Sequence, residues 1–252
     1  MGEHSFWQST SFALQLPGHA YVMDLSDMKL SVLIPVFNEE ESIQELLERV
    51  LAVPCEKEIV VVDDCSSDGT WSVLNSAVDP RIRVHRHQVN QGKGAGICTA
   101  LIHATGDLVI IQDADLEYDP NDYPRLLEPI LSGKAQVVYG VRDLSGQRLL
   151  FRLGNQFLTL ATNILYGSQV SDMETCYKLM PREVMLSLNL QPTRFQIEPE
   201  ITAKLLRRGY RIHEVPIRYR PRKAKKLNPW RDGLPALWTL LKYRFYNLAG
   251  SR

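Results

Sequence analysis

The residues best suited to chemistry in this sequence are two aspartates one residue apart, in Asp113-Ala114-Asp115. Alternate side chains of an extended backbone leave on the same side, so both carboxylates face one way. Two such groups at about 4 to 6 Å repel each other unless a cation lies between them. Hard oxygen ligands suit magnesium or manganese, which commonly bridges protein carboxylates to a diphosphate. The alternative is a pair of solvated loop acids, since D-x-D alone is a weak motif.

Two more polar clusters follow apolar runs in the same way. One reads Ile34-Pro35-Val36-Phe37-Asn38-Glu39-Glu40, and the other Val62-Asp63-Asp64-Cys65-Ser66-Ser67-Asp68-Gly69-Thr70, while the aspartate pair itself runs from Ile111 through Leu116-Glu117. Each could serve only as a helix N-cap, where Asp, Asn and Ser are common. A glycine-rich segment, Asn90-Gln91-Gly92-Lys93-Gly94-Ala95-Gly96, precedes a helical run. Its small residues would let backbone N–H groups approach a phosphate, with Lys93 adding a point charge. It matches neither a P-loop nor a G-x-G-x-x-G fingerprint, and a plain glycine-rich turn into a helix is the alternative.

These clusters need a scaffold that brings them together. Short runs at 30–35, 58–62, 82–85, 108–112 and 136–139 read as buried strands, and 39–51, 69–77, 92–104 and 120–131 have helical spacing. Such alternation predicts an α/β fold, a mainly parallel sheet with helices on both faces, whose ligands collect at the carboxyl ends of the strands. Further helices are expected at 149–166, 199–207 and about 232–248, and a strand at 211–219. The first 27 residues read as a poorly ordered extension, and residues 28–252 as a single catalytic domain.

Formal net charge is zero, so the whole-chain field favours neither nucleic acid nor membrane. Between Lys204 and Arg231, however, eleven Lys or Arg residues accompany one acid, Glu214, a stretch expected to face something anionic or solvent. A nucleic-acid partner is not expected, because no nucleic-acid-binding motif accompanies that stretch. The four cysteines have no C-x-x-C spacing, which suits free thiols in the cytosol. No apolar run approaches the roughly 18 residues of a membrane span.

From Met28 to about Phe245 the sequence resembles the family 2 glycosyltransferases, and within them the dolichol-phosphate mannose synthase-like group. The resemblance is carried by IPVFNEE, VVVDDCSSDGT, NQGKGAG, QDADLEYDP, VYGVRD and EVPIRYRPR in that order. It implies a GT-A fold, Rossmann-like, and inversion at the anomeric carbon. Matched residue by residue, it puts Pro35, Val36, Phe37 and Glu39 against the base and ribose, Asp63 and Asp64 on the nucleoside, and Lys93 and Ala114 on the donor side. Asp113 and Asp115 match the metal motif, with Asp115 in a catalytic role. Glu117, where mannose synthases often have Gln, is the candidate third ligand. Arg142 matches a family arginine despite Val141 replacing a Ser, and it is assigned to catalysis and acceptor binding. Arg148 resembles a second acceptor-side arginine, and Glu198 lies in a segment ending near the acceptor. Arg222 and Lys226 match basic residues that close over the diphosphate. The segment Ser171–Lys178 is a looser match to the acceptor loop.

The implied reaction moves a hexose, mannose or glucose, from GDP-mannose or UDP-glucose with magnesium or manganese. A phosphate acceptor arrives largely ionised, its second pKa being near 6, so it needs cations to place it rather than a general base. A polyprenyl phosphate at the cytosolic membrane face therefore fits Arg142 and Arg148. Peripheral membrane association is expected through the last helix, where Leu234, Leu237, Trp238, Leu241, Phe245 and Leu248 recur at helical spacing; the alternative is that this stripe packs on the protein core. The alternatives are a soluble transferase with a sugar or protein hydroxyl acceptor, and a catalytically idle nucleotide-sugar-binding module.

Overall fold

The computed structural model describes residues 11–16, 19–24, 28–191, 196–222 and 229–245. Part of the expected poorly ordered extension is paired: Ser11–Leu16 (β1) and His19–Asp24 (β2) form an antiparallel two-stranded ribbon. The register joins Ser11 to Asp24 at one end and Leu16 to His19 at the other.

The main sheet begins with Leu30–Val36 (β3) and Lys57–Asp63 (β4), buried at every position. Burial on both faces explains why these strands read as continuous apolar runs rather than alternating ones. Ile82–Arg86 (β5), Leu108–Ile111 (β6), Val137–Arg142 (β7), Lys178–Pro181 (β8) and Ile212–Ile217 (β9) complete seven strands in the order β5-β4-β3-β6-β8-β7-β9. All pairs are parallel except those of β8, which runs antiparallel to β6 and β7. That strand was not anticipated, because Lys178 and Pro181 flank only two apolar residues, Leu179 and Met180, and no apolar run shows.

The helices are Ile43–Ala52 (α1), Thr70–Asn75 (α2), Lys93–His103 (α3), Tyr123–Leu131 (α4), Leu149–Tyr166 (α5), Arg182–Ser187 (α6), Ile197–Arg207 (α7) and Pro229–Phe245 (α8). In α1 the buried Ile43, Leu46, Leu47 and Val50 form a stripe at i, i+3, i+4 and i+7. It stops at Val53, which is extended because Pro54 follows. In α5, Gly167 at φ 65° closes the helix in the left-handed conformation that glycine adopts without cost.

A second apolar cluster joins α5, α7 and α8 through Leu158, Ala203, Ala236, Leu240 and Tyr243, with Val170 and Met173. The expected apolar stripe of α8 is divided by this packing. Leu237 packs against the cluster, Leu234, Trp238 and Phe245 are exposed, and Leu248 lies outside the described residues. Nor does the basic stretch present one face. Lys204 is buried against Glu200, Arg218 holds Asp119 and Asp122, and Arg222 turns inward.

Candidate active site

The parallel strands β3, β4, β6, β7 and β9 all end at one edge of the sheet. Since β8 runs the other way, the loop preceding it reaches that same edge, bringing residues 171–177 beside the expected metal motif. Three of these strand-end loops each hold one non-glycine residue at positive φ: Asn38 at 54°, Cys65 at 62° and Leu116 at 60°. Such conformations cost energy and persist where surrounding contacts impose them, commonly at functional sites.

Around the aspartate pair, charge is concentrated. Lys93 Nζ lies 2.6 Å from Asp113 Oδ1 and 2.6 Å from Glu198 Oε1. Burial alone would lower the Lys93 pKa, but Asp113 and Glu198 outweigh it and hold the ammonium well above the usual lysine range. Lys93 is thus a bridge between β6 and α7. The glycines near it serve the backbone: Gly92 sits at φ 95°, and a Cβ on Gly96 would lie 2.9 Å from Pro35 Cβ, so α3 packs closely on β3.

Burial, then the charges of Asp113 and Glu117, push the Asp115 carboxyl up to about 7. Glu117 does not stand free as a third metal ligand. Its Oε1 accepts the Arg222 N–H at 2.7 Å and its Oε2 accepts the Tyr219 hydroxyl at 2.6 Å. Among the described residues no three His, Cys, Asp or Glu side chains form a metal cage. The Ala114 carbonyl accepts Ser42 Oγ at 2.8 Å, which ties the aspartate loop to the loop after β3.

Arg222 connects the same loops by another route. Its Nε donates to the Asp115 carbonyl at 2.8 Å, and its guanidinium forks onto Glu39. Glu39 is thus an ion-pair partner in this structure, and Ser42 also donates to it at 2.9 Å. Pro35 and Val36 are buried in β3, so of the four expected wall residues only Phe37, 41% exposed, offers open surface.

The acidic pair after β4 is also committed to structure. Both Asp64 oxygens are taken, by His87 Nδ1 at 2.7 Å and by the backbone N–H groups of Gln91 and Gly92 at 2.9 and 2.6 Å. Asp64 thus holds the glycine-rich loop. Asp63 Oδ1 accepts Ser66 N–H at 3.2 Å, while its Oδ2 lies 3.0 Å from Arg86 Nε without a directed hydrogen bond.

On the far side, Arg142 is held by a buried acid. Its side chain is 9% exposed and clamps Asp172 with Nε–Oδ2 at 2.6 Å and Nη2–Oδ1 at 2.8 Å. Arg148 is exposed at the N-cap of α5, and Lys226 lies outside the described residues. Beside the clamp, burial and then Glu198 push the Glu174 carboxyl up to about 7 against the pull of Lys178 and Arg142. Glu174 Oε1 is buried without a hydrogen-bond partner. Burial likewise draws Lys178 down to about 8, although its Nζ donates to the Met173 and Thr175 carbonyls at 2.8 and 2.7 Å. Asp172, Glu174, Lys178, Ser42 and Tyr219 were not individually foreseen; the only signal for the first three was the loose acceptor-loop match.

The model for glycosyl transferase family 2 matches residues 31–186, more than half of the chain. The chain belongs to this family. This glycosyltransferase is 29% identical to the low-salt glycan biosynthesis hexosyltransferase Agl6 of Haloferax volcanii, over 88% of its own length and 54% of the relative's. It is 26% identical to the undecaprenyl-phosphate mannosyltransferase of Micrococcus luteus over 86% and 99% of the two chains. With the dolichol-phosphate mannosyltransferase of Pyrococcus furiosus it shares 30% identity over 79% and 59%. The chain therefore spans little more than half of two of these relatives and nearly all of the third. The glucosyl-3-phosphoglycerate synthase of Mycobacterium tuberculosis, solved with Mn2+, UDP and phosphoglyceric acid, superposes with a TM-score of 0.73 at 22% identity, over 87% of this chain and 80% of that one. The GT-A-like fold is thereby established.

Proposed function

We propose that this glycosyltransferase moves a hexose, with inversion, from a nucleotide diphosphate sugar to a polyprenyl phosphate. The observation that carries the acceptor is the match along nearly the whole length of an undecaprenyl-phosphate mannosyltransferase. The donor side rests on Asp113 and Asp115, hard oxygen donors of the kind that magnesium or manganese takes; burial and then the charge of Asp113 disfavour the Asp115 carboxylate, which a bound cation would relieve. Bound there, the cation would neutralise charge on the leaving diphosphate. Magnesium commonly takes one or two carboxylates plus phosphate oxygens and water, so Glu117 can keep its bonds to Arg222 and Tyr219.

In this reading Phe37 offers the nucleoside an apolar surface and Asp63 Oδ2 accepts from it. Arg222 supplies positive charge at the diphosphate by exchanging Glu39 for phosphate oxygens. Lys93 fixes Asp113 and Glu198 in place. Arg142, held by Asp172, gives the acceptor phosphate a fixed cation near the reacting carbon, and Arg148 meets it from the start of α5. The acceptor phosphate attacks the anomeric carbon, and the nucleoside diphosphate departs from the opposite face.

A hydroxyl acceptor is the second reading, favoured by one observation. A carboxyl near 7 at Glu174 suits a general base, which a hydroxyl needs and an ionised phosphate does not. The four cysteines are free, and among the described residues no helix is long and apolar enough to cross a membrane.

The test has two parts. Thermal-shift titration with GDP-mannose and UDP-glucose, each with and without manganese, identifies the donor by a rise in melting temperature. Transfer of labelled sugar is then measured to polyprenyl phosphate and to sugar or peptide hydroxyls. Transfer only to hydroxyls would replace the first reading with the second.

A further inference from the structure

Helix α5 carries a bare apolar stripe. Leu149 is 68% exposed, Leu153 52%, Phe157 58%, Leu160 57% and Ile164 74%. Steps of four, four, three and four residues keep these side chains on one face of the helix. The buried residues, Leu158, Thr159 and Thr162, lie on the other. An ordinary surface helix does the reverse, turning its apolar stripe to the core and its polar residues to water. Each exposed side chain leaves on the order of 100 Å² in water, so the stripe alone reaches the upper end of what monomers leave bare.

The charges around the stripe indicate what covers it. No acid occurs anywhere in α5, whereas Arg148 and Arg152 stand exposed at its start. Helix α8 packs beside α5, exposes Leu234, Trp238 and Phe245, and carries exposed Lys242 and Arg244 in its last turn. Apolar side chains on the exposed face of a helix, accompanied by cations and no acid along it, fit the interfacial layer of an anionic bilayer. The inner side of α5 also reaches the proposed acceptor site. Asn155 Oδ1 lies 3.4 Å from Arg142 Nη2, and Asn155 Nδ2 donates to Asp172 at 3.1 Å.

We infer that the Leu149–Ile164 face of α5 inserts into the interfacial layer of an anionic membrane and is the main element seating the protein there. The polyprenyl phosphate reading gives this seat its purpose, because the helix that meets the lipid also contacts the arginine proposed to hold the lipid-borne phosphate. Binding to lipid is measured separately from the identity of the acceptor.

The full chain is sedimented with vesicles of phosphatidylcholine alone and with added phosphatidylglycerol. The parent protein should sediment with the anionic vesicles. Phe157→Gln with Leu160→Gln should weaken that binding at least tenfold without lowering Tm, since both residues are exposed. Arg152→Gln should weaken it several-fold on anionic vesicles only. Unchanged sedimentation of the double variant overturns the inference, as does a lipid-free dimer, seen by light scattering, that the same substitutions dissociate. Leu153→Gln with Leu149→Gln repeats the test should the first pair fold poorly. Transfer to a short, water-soluble polyprenyl phosphate without vesicle binding would discard the membrane face and keep the proposed reaction. Vesicle binding without any polyprenyl phosphate transfer would do the opposite.

Discussion

Arg222 and Glu39 are 183 positions apart, yet the guanidinium forks onto the carboxylate with Nη2–Oε2 at 2.6 Å and Nη1–Oε1 at 3.2 Å. The pair joins the loop after β3 to the segment after β9, and Arg222 also holds Glu117 and the Asp115 carbonyl. The aspartate loop is thus fixed from both neighbours. The side chains are 33% and 13% exposed, so the ion pair is only partly shielded.

Arg222→Ala and Glu39→Ala, combined in a double-mutant cycle by urea denaturation, should give a coupling energy of about 1 to 2 kcal/mol. Arg222→Ala should also weaken donor binding more than Glu39→Ala does, because only the arginine is proposed to turn to the diphosphate. Isothermal titration with the donor nucleotide checks this; equal losses would make Arg222 a purely structural clip.

Removing one partner from the buried Arg142–Asp172 pair leaves the other charge without compensation. Arg142→Ala should therefore lower stability by about 3 to 4 kcal/mol, and Arg142→Ala with Asp172→Ala should recover much of that loss. Acceptor use should stay impaired in the double variant while donor affinity holds. Recovery of transfer together with stability would show that Arg142 serves the fold alone.

Asp115→Asn removes charge at nearly constant volume from a carboxylate that burial and then its acidic neighbours already disfavour. The variant should keep its fold and its Tm in the absence of metal, while transfer falls by more than a hundredfold. Circular dichroism and a manganese titration of turnover distinguish this from unfolding. Normal turnover in a folded variant would end the metal assignment.

Glu174 supplies a pH test. Its folded carboxyl is raised to about 7, so between the unfolded value near 4.3 and about 7 the native state binds the extra proton. That contribution to stability is fully present below the unfolded value and is lost as pH rises through about 7. Glu174→Gln, permanently neutral, should exceed the parent by on the order of 2 kcal/mol at pH 8.5 and differ little at pH 4, by chemical denaturation. A constant difference across the range would show that Glu174 does not titrate there.

Much of the frame was legible in the sequence. Buried parallel strands announce themselves as apolar runs, and polar clusters after β3, β4 and β6 mark the edge where ligands gather; the long helix α5 has the limits its pattern predicts. These signals are local, each contained in a dozen or so residues. What each polar side chain touches is not local. Asp64 and Glu39 looked like ligand-facing acids, but in the folded chain their oxygens meet His87, Gly92 and Arg222. Lys93 lies between Asp113 and Glu198, which only the docking of α7 against α3 and β6 could bring together. Strand β8, with only Leu179 and Met180 apolar between Lys178 and Pro181, carries too little pattern to be read, yet its reversed direction delivers Asp172 and Glu174 to the site. The exposure of the α5 stripe was equally hidden, because helical periodicity shows that a helix has an apolar face without showing which way that face turns. Hydrophobic pattern specified the elements along the chain; long-range packing and charge pairing decided which groups meet at the sheet edge and which apolar face stays in water.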